Sequence, residues 1–320
     1  MRKEDFRPRL IVWQLTEDRR SEPDGPAAAA ADAYTTRECL LTIDSIARTS
    51  KPIVVITGPA VLQRPDLFDV VQYGFALGLK IIIEGAPGEI SDELLRTFSR
   101  FGRRVFRVLI DGCVVEGTDA RYEQSPQYSA LEDCIVRLRK AGYEVHFGMT
   151  LRSVEARQLA FIHDYAFRRR ADGIYFHLEW TETSLPAGGA ETEGQWSDDV
   201  IESIARIKKS SPHGMFFSPQ CIRYARREDG AGAGVGYSVR WCHSCVGGKT
   251  FAYISPTGSV QACKELTAGG GNLRLNGYDF RGLWEQSALF ADLRVRSESC
   301  SGTRRFLGDP HGAVTGERAA

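Results

Sequence analysis

Four cysteines in the last third of the chain carry the most suggestive chemistry. Cys242 and Cys245 form C-x-x-C within Trp-Cys-His-Ser-Cys, Cys263 follows a hairpin-like stretch, and Cys300 lies further on. Two thiolates two residues apart beside a turn can share one ion or cluster. A third at the far end of a hairpin can close the site. Soft sulfur donors select zinc or iron–sulfur over hard cations. His243, inside the C-x-x-C, more often points away than ligates. Redox C-x-x-C pairs usually follow a strand and open a helix, whereas this pair precedes a hairpin. Unligated thiols are the competing reading, and metal or cluster binding is preferred to it. Cys39 and Cys134 fall within helical patterns and read as small buried hydrophobes. Cys113 directly follows Asp111-Gly112 at a strand end, and Cys221 is solitary.

A second set of residues suits acid–base work. Asp111, Glu84, Glu179 and His177 fall at or near predicted strand ends. In the stretch 174–180, Tyr175, His177 and Glu179 share one face by the period of two. A histidine and a carboxylate so spaced can trade a proton; a hydrogen-bonded pair lining a barrel is the preferred reading.

These residues hang on a regular alternation. Apolar runs at 9–16, 52–58, 80–84, 104–111, 144–151 and 173–180 predict strands. Amphipathic stretches at 35–48, 64–77, 91–101, 129–141, 155–169 and 198–209 predict helices. Ser91 reads as an N-cap, and Gly102 and Gly142 as helix terminators. Six strand–helix units with helical crossovers require a parallel sheet, open or closed into a barrel, with its active face at the strands' C-terminal ends. Residues 251–260 (FAYISPTGSV) predict a hairpin, and 283–295 an amphipathic helix. The stretches 19–33 and 183–195 read as connectors. The Gly-rich 228–236 reads as a linker near a boundary between a barrel at 1–225 and a smaller module at 226–320.

Bulk composition excludes some classes. The 320 residues balance 41 Lys plus Arg against 41 Asp plus Glu, so no net positive field draws in nucleic acid or an anionic membrane. No apolar run approaches the roughly 20 residues that span a bilayer. The first residues lack the apolar core of a secretory signal, so a cytoplasmic location is expected and the cysteines are not read first as disulfides.

The motifs then resemble a family. Trp13-Gln-Leu-Thr16, the run Thr57-Gly58-Pro59-Ala60-Val61-Leu62-Gln63-Arg64-Pro65-Asp66-Leu67-Phe68 and the strand ending Asp111-Gly112 are similar to the frame of radical S-adenosylmethionine (radical SAM) proteins. Ile254-Ser-Pro-Thr-Gly-Ser-Val-Gln-Ala-Cys263, Gly271-Asn-Leu-Arg274 and the Trp284–Arg294 pattern resemble the C-terminal SPASM or twitch modules of its cofactor and peptide maturases. The resemblance implies an α/β fold, a partial (β/α)6 TIM-like barrel of parallel strands with a small cysteine-bearing C-terminal module. It also implies that Cys242, Cys245, Cys263 and Cys300 hold a 4Fe–4S cluster or zinc. Thr57, Gly58 and Asp111 are then remnants of the cofactor-binding face.

The sequence departs from the family where the radical chemistry lives. The positions of the three cluster cysteines carry Arg19, Pro23 and Pro26, and the position of the acid that helps hold the amino group of S-adenosylmethionine carries Ala60. Arginine is cationic and no ligand, and an alanine methyl accepts nothing from an ammonium. In the module, Thr303 stands at the ligand position after Cys300. These departures argue against S-adenosylmethionine as a working cofactor. The expectation is a pseudoenzyme: a binding or accessory protein for a peptide, a cofactor precursor or a partner maturase. An active maturase with an atypical N-terminal motif, an iron–sulfur electron-transfer accessory and an unrelated acid–base enzyme are the alternatives.

Overall fold

The computed structural model describes residues 6–17, 34–110, 126–151, 156–178, 214–218, 222–226, 237–241, 246–264 and 269–295. Seven strands, β1 (Leu10–Gln14), β2 (Ile53–Thr57), β3 (Lys80–Gly85), β4 (Phe106–Leu109), β5 (His146–Leu151), β6 (Gly173–Leu178) and β7 (Gly214–Ser218), pair in parallel in chain order. Helices α1 (Thr36–Thr49), α2 (Leu67–Ala76), α3 (Asp92–Phe98), α4 (Pro126–Lys140) and α5 (Ala156–Arg168) fall between the first six strands. This is the expected α/β architecture, a partial TIM-like barrel of parallel strands, with β7 as one strand more than the alternation announced.

Local chemistry explains the helix ends. Thr35 caps α1 through its hydroxyl, which accepts from Glu38 N at 3.3 Å, while Glu38 Oε2 accepts from Thr35 N at 2.7 Å. Such a reciprocal box satisfies two otherwise orphaned amides. Ser91 caps α3 by accepting from Leu94 N at 3.2 Å, as expected. Gly142, at φ +82°, turns the chain out of α4.

Alternation along the strands sorts two apolar faces. Ile11, Trp13, Val54, Ile56, Ile81 and Ile83 join the large core that packs against the helices. Their neighbours Val12 and Val55, with Phe251 and Tyr253, form a second cluster on the opposite, inner face, with Ile82 packed against it. Burial on both faces is why these strands read as unbroken apolar runs.

The C-terminal part continues the same sheet. Strand β10 (Phe251–Ile254) pairs in parallel with β1, with Leu10 opposite Phe251. Strands β11 (Ser259–Gln261) and β12 (Gly269–Asn272) follow antiparallel. The sheet order is therefore β12-β11-β10-β1-β2-β3-β4-β5-β6-β7. The expected hairpin at 251–260 is β10–β11. Strands β8 (Ile222–Arg226) and β9 (Tyr237–Trp241) pair with each other in a separate antiparallel ribbon, flanking the Gly-rich stretch.

The helix expected over 283–295 is two helices, α6 (Phe280–Gln286) and α7 (Ala288–Val295), parted where Ser287 turns to ψ 127°. Trp284 Nε1 donates to the Phe6 carbonyl at 2.9 Å, and Phe280 N donates to Ser45 Oγ at 2.8 Å. These bonds fasten α6 to the first residues described and to α1. The helix expected over 198–209 lies outside the described residues. Among the described residues no helix is long and apolar enough to cross a membrane.

Candidate functional site

The loop after β2 is built around one close approach. Leu15 N donates to Thr57 O at 2.8 Å, bringing the ends of β1 and β2 together. Thr16 Oγ1 donates to Pro59 O at 2.7 Å. Gly58 sits at φ +128°, and a Cβ there would lie 2.4 Å from Thr16 Oγ1 and 2.7 Å from Thr16 O. Only glycine tolerates both the backbone and the contact. Ala60 next adopts the left-handed region at φ 53°, leading into a short 3-10 turn at Val61–Gln63.

Arg64 and Asp66 then tie this loop to the start of α1. Arg64 Nη2 reaches Asp66 Oδ2 at 2.8 Å and the Tyr34 carbonyl at 2.9 Å, and Thr36 Oγ1 donates to Asp66 Oδ2 at 2.8 Å. Burial pushes the Asp66 carboxyl upward, but the hydrogen bonds from Arg64 and Thr36 outweigh it and hold the pKa below the ordinary value. Beneath lies Cys39, fully buried as expected, its thiol pushed up to about 12 by burial and therefore protonated and inert. Trp13 meets Tyr34 edge-on at 5.3 Å.

The turn at Thr57 and Gly58, which the sequence resemblance implies is a remnant of a cofactor-binding face, is thus a tight backbone contact with Thr16, and alanine follows it at position 60. Ala60 offers a methyl and no hydrogen-bond acceptor beside this turn, and the sequence carries arginine and proline, not cysteine, at positions 19, 23 and 26. Arg19, Pro23, Pro26, Asp111 and Glu179 lie outside the described residues. So do Cys113, Cys221, Cys242, Cys245 and Cys300.

Cys263 is described, and it is half-buried beside the inner-face cluster of Val12, Val55, Phe251 and Tyr253. Its position just past β11 is the hairpin end that the spacing predicted. The sulfur-only set of Cys242, Cys245, Cys263 and Cys300 fits a soft metal or cluster by donor chemistry. Tyr253 also donates a hydrogen bond to Gln14 Oε1 across the β10–β1 seam.

The inner face changes character from β3 onward. Glu84 on β3 and Arg107 on β4 face each other in register, and Arg107 Nη1 meets Glu84 Oε1 at 2.7 Å with side chains only 3% and 5% exposed. Gly148 on β5 leaves room for the arginine stem: a Cβ there would sit 3.0 Å from Arg107 Cδ. The guanidinium carbon lies 3.6 Å from the centroid of the Tyr175 ring on β6. Glu84 is therefore a buried ion-pair partner as the structure stands. His177 pairs in register with Thr150 and Ser218 on β6's neighbours.

Lower on β5, His146 Nε2 contacts Glu144 Oε2 at 3.0 Å, and Arg104 Nε contacts the same oxygen at 2.5 Å. Burial lowers the His146 pKa, against the pull of Glu144. Arg107 is a buried charged residue that sequence reasoning did not single out. Its signal was a charged residue in the middle of an apolar strand, Arg104-Val-Phe-Arg107-Val-Leu, at an inner-face position.

A cavity of about 740 Å³ is lined by Arg7, Pro8, Arg9, Ser50, Lys51, Ile53 and Lys80. Those residues precede or begin β1, β2 and β3, so it opens at the end of the barrel opposite Thr57 and Gly58.

No family model matches the chain. It is 25% identical over 312 residues to the AdoMet-dependent heme synthase of Methanosarcina barkeri, covering 91% of this chain and 86% of that protein. A protein of the same name from Oleidesulfovibrio alaskensis is 24% identical over 320 residues, covering 91% and 78%. Among solved structures, Streptococcus suis SuiB superposes with a TM-score of 0.58 at 10% identity, covering 91% of this chain and 68% of that one. SuiB has also been solved bound to the precursor peptide SuiA. Native anSMEcpe with bound AdoMet superposes at 0.56 and 10% identity, covering 89% and 82%.

Proposed function

We propose that this chain, which is similar in sequence to AdoMet-dependent heme synthases and shares its fold with SuiB and anSMEcpe, is a radical SAM family protein that uses its barrel to bind a ligand and does not cleave S-adenosylmethionine. One observation supports this: the turn at Gly58–Ala60 packs its backbone tightly against Thr16, and the position where the resemblance expects an acid carries the Ala60 methyl. The Arg19, Pro23 and Pro26 substitutions point the same way, because no thiolates remain there for a cluster that must deliver the electron.

The ligand is taken from the chemistry of the relatives. Proteins named heme synthase match nearly the whole chain, so a tetrapyrrole or its precursor is the ligand class assigned to the barrel. A precursor peptide, of the kind SuiB binds, or a partner maturase is the competing occupant. Cys242, Cys245, Cys263 and Cys300 would hold one iron–sulfur cluster or zinc. A cluster would supply one-electron transfer there, and zinc would supply only rigidity.

The test is an assay for 5′-deoxyadenosine after anaerobic iron–sulfide reconstitution with reductant and S-adenosylmethionine. None is expected. Turnover would overturn the proposal in favour of a second reading, an active radical SAM enzyme with an atypical motif, which the relatives' names favour. Metal analysis of the same preparations, with Cys242→Ala and Cys245→Ala, is expected to show iron and sulfide, or zinc, lost in the variants. Metal-free wild-type protein would remove the C-terminal site.

A further inference from the structure

Arg107 carries one guanidinium nitrogen, Nε, that none of the described residues engages. Glu84 accepts from Nη1. Nε is buried and has no hydrogen-bond partner among the described residues. Arg107 as a whole is 4% exposed. An unpaired N–H in such a place is unfavourable, and native interiors rarely leave one without a protein, water or ligand partner. The Nε–H and one Nη–H of a guanidinium form a planar fork whose two parallel bonds match a carboxylate.

The surroundings hold this fork in place. Gly148 admits the stem, Tyr175 lies against one guanidinium face, and Glu84 fixes the far nitrogen. The same inner face carries the apolar Val12, Val55, Phe251 and Tyr253 cluster, with Ile82 of β3 packed against it. One side of the inner face is therefore apolar, and the other carries the Glu84–Arg107 ion pair with the Arg107 Nε–H left over. A ligand with a broad apolar body and an edge carboxylate is complementary to both.

We infer that the free edge of Arg107 is a carboxylate subsite, taking a propionate-type carboxylate of the barrel's ligand. The inference rests on the tetrapyrrole reading above and assigns a binding residue to it. Glu84 is the positioning residue, since it touches the guanidinium and not the ligand. Ligand carboxylate and Glu84 would then share one arginine, the ligand taking the fork and Glu84 the single bond.

The probes are iron protoporphyrin IX, its dimethyl ester and S-adenosylmethionine, titrated into the full chain by absorbance or calorimetry. Arg107→Lys keeps a cation opposite Glu84 but has no planar fork, and Arg107→Met removes the charge. The acid is expected to bind wild type more tightly than the ester. Both variants should weaken the acid about ten-fold or more and leave the ester unchanged. Circular dichroism and a denaturation curve identify any variant that fails to fold, and Arg107→Lys then decides. Equal binding of the acid by wild type and folded Arg107→Lys overturns the subsite and leaves the tetrapyrrole reading standing. Wild type that binds neither porphyrin overturns both. Loss confined to S-adenosylmethionine overturns the assignment, because the fork then serves that molecule's own carboxylate.

Discussion

Gly58 and Thr16 approach so closely that a single added carbon on Gly58 would fall 2.4 Å from the Thr16 hydroxyl oxygen and 2.7 Å from its carbonyl. The junction of β1 and β2 therefore rests on the smallest residue in a backbone state that other residues rarely adopt. Gly58→Ala is expected to cost about 1–3 kcal/mol, read by urea denaturation. It should also lower affinity for any ligand bound at this end of the barrel. A variant as stable as wild type would mean the loop relaxes freely and plays no positioning role.

The Glu84–Arg107 pair sets a second expectation. With both side chains almost wholly buried, breaking the pair leaves an uncompensated charge. Glu84→Gln should destabilise the fold by about 3–5 kcal/mol. Replacing both partners together, by Glu84→Leu with Arg107→Met, should cost much less than the sum of the single changes. Additive losses in that cycle would show that the two side chains do not act as a unit.

The pH dependence of stability carries the mark of His146. Burial holds its folded pKa below the ordinary 6.5, with Glu144 opposing. The unfolded chain therefore takes up the proton more readily, and stability falls as pH drops below about 6.5 toward the lower folded value. Glu144, held low by His146 and Arg104 despite burial, contributes in the same direction at more acid pH, its share being lost as pH falls through its depressed value. His146→Gln should flatten the stability curve between about pH 7 and 5. An unchanged slope would place the proton uptake on other groups.

Docking of the C-terminal helices is open to a direct test. Ser45 Oγ on α1 accepts from Phe280 N at 2.8 Å in a buried position. Ser45→Ala should cost about 1 kcal/mol and speed proteolytic release of α6 and α7. Proteolysis at the wild-type rate would assign the docking to the Trp284–Phe6 bond and the apolar contacts alone.

Much of the frame was legible because period and punctuation agreed. The apolar runs at 52–58 and 80–84, the Ser91 cap and the Gly142 stop each announced an element that the structure contains. The unbroken helix expected over 283–295 failed because Ser287 satisfies the helical spacing on both sides and betrays its extended ψ nowhere in the sequence. Strand β7 went unread because MFFS is too short for periodicity to speak. Arg107 was passed over for a different reason. Its significance depends on Glu84 and Tyr175, which meet it only through strand pairing and barrel curvature, and no local pattern encodes such a meeting. The continuity of β10 with β1 is likewise a long-range pairing that hydrophobic runs cannot specify.

That pairing has a bearing on how the protein is made. Gln14 and Tyr253, 239 positions apart, share a hydrogen bond across the seam. A ribosome would extrude β1 long before its neighbour on that side exists. Until β10 emerges, one edge of β1 presents a row of unmet amides and carbonyls, the sort of edge that recruits foreign strands. Closure of so distant a contact is slow compared with the local strand–helix units. The nascent protein thus passes through an interval in which β1 is half-finished, and its safe passage in a cell depends on how quickly β10 arrives.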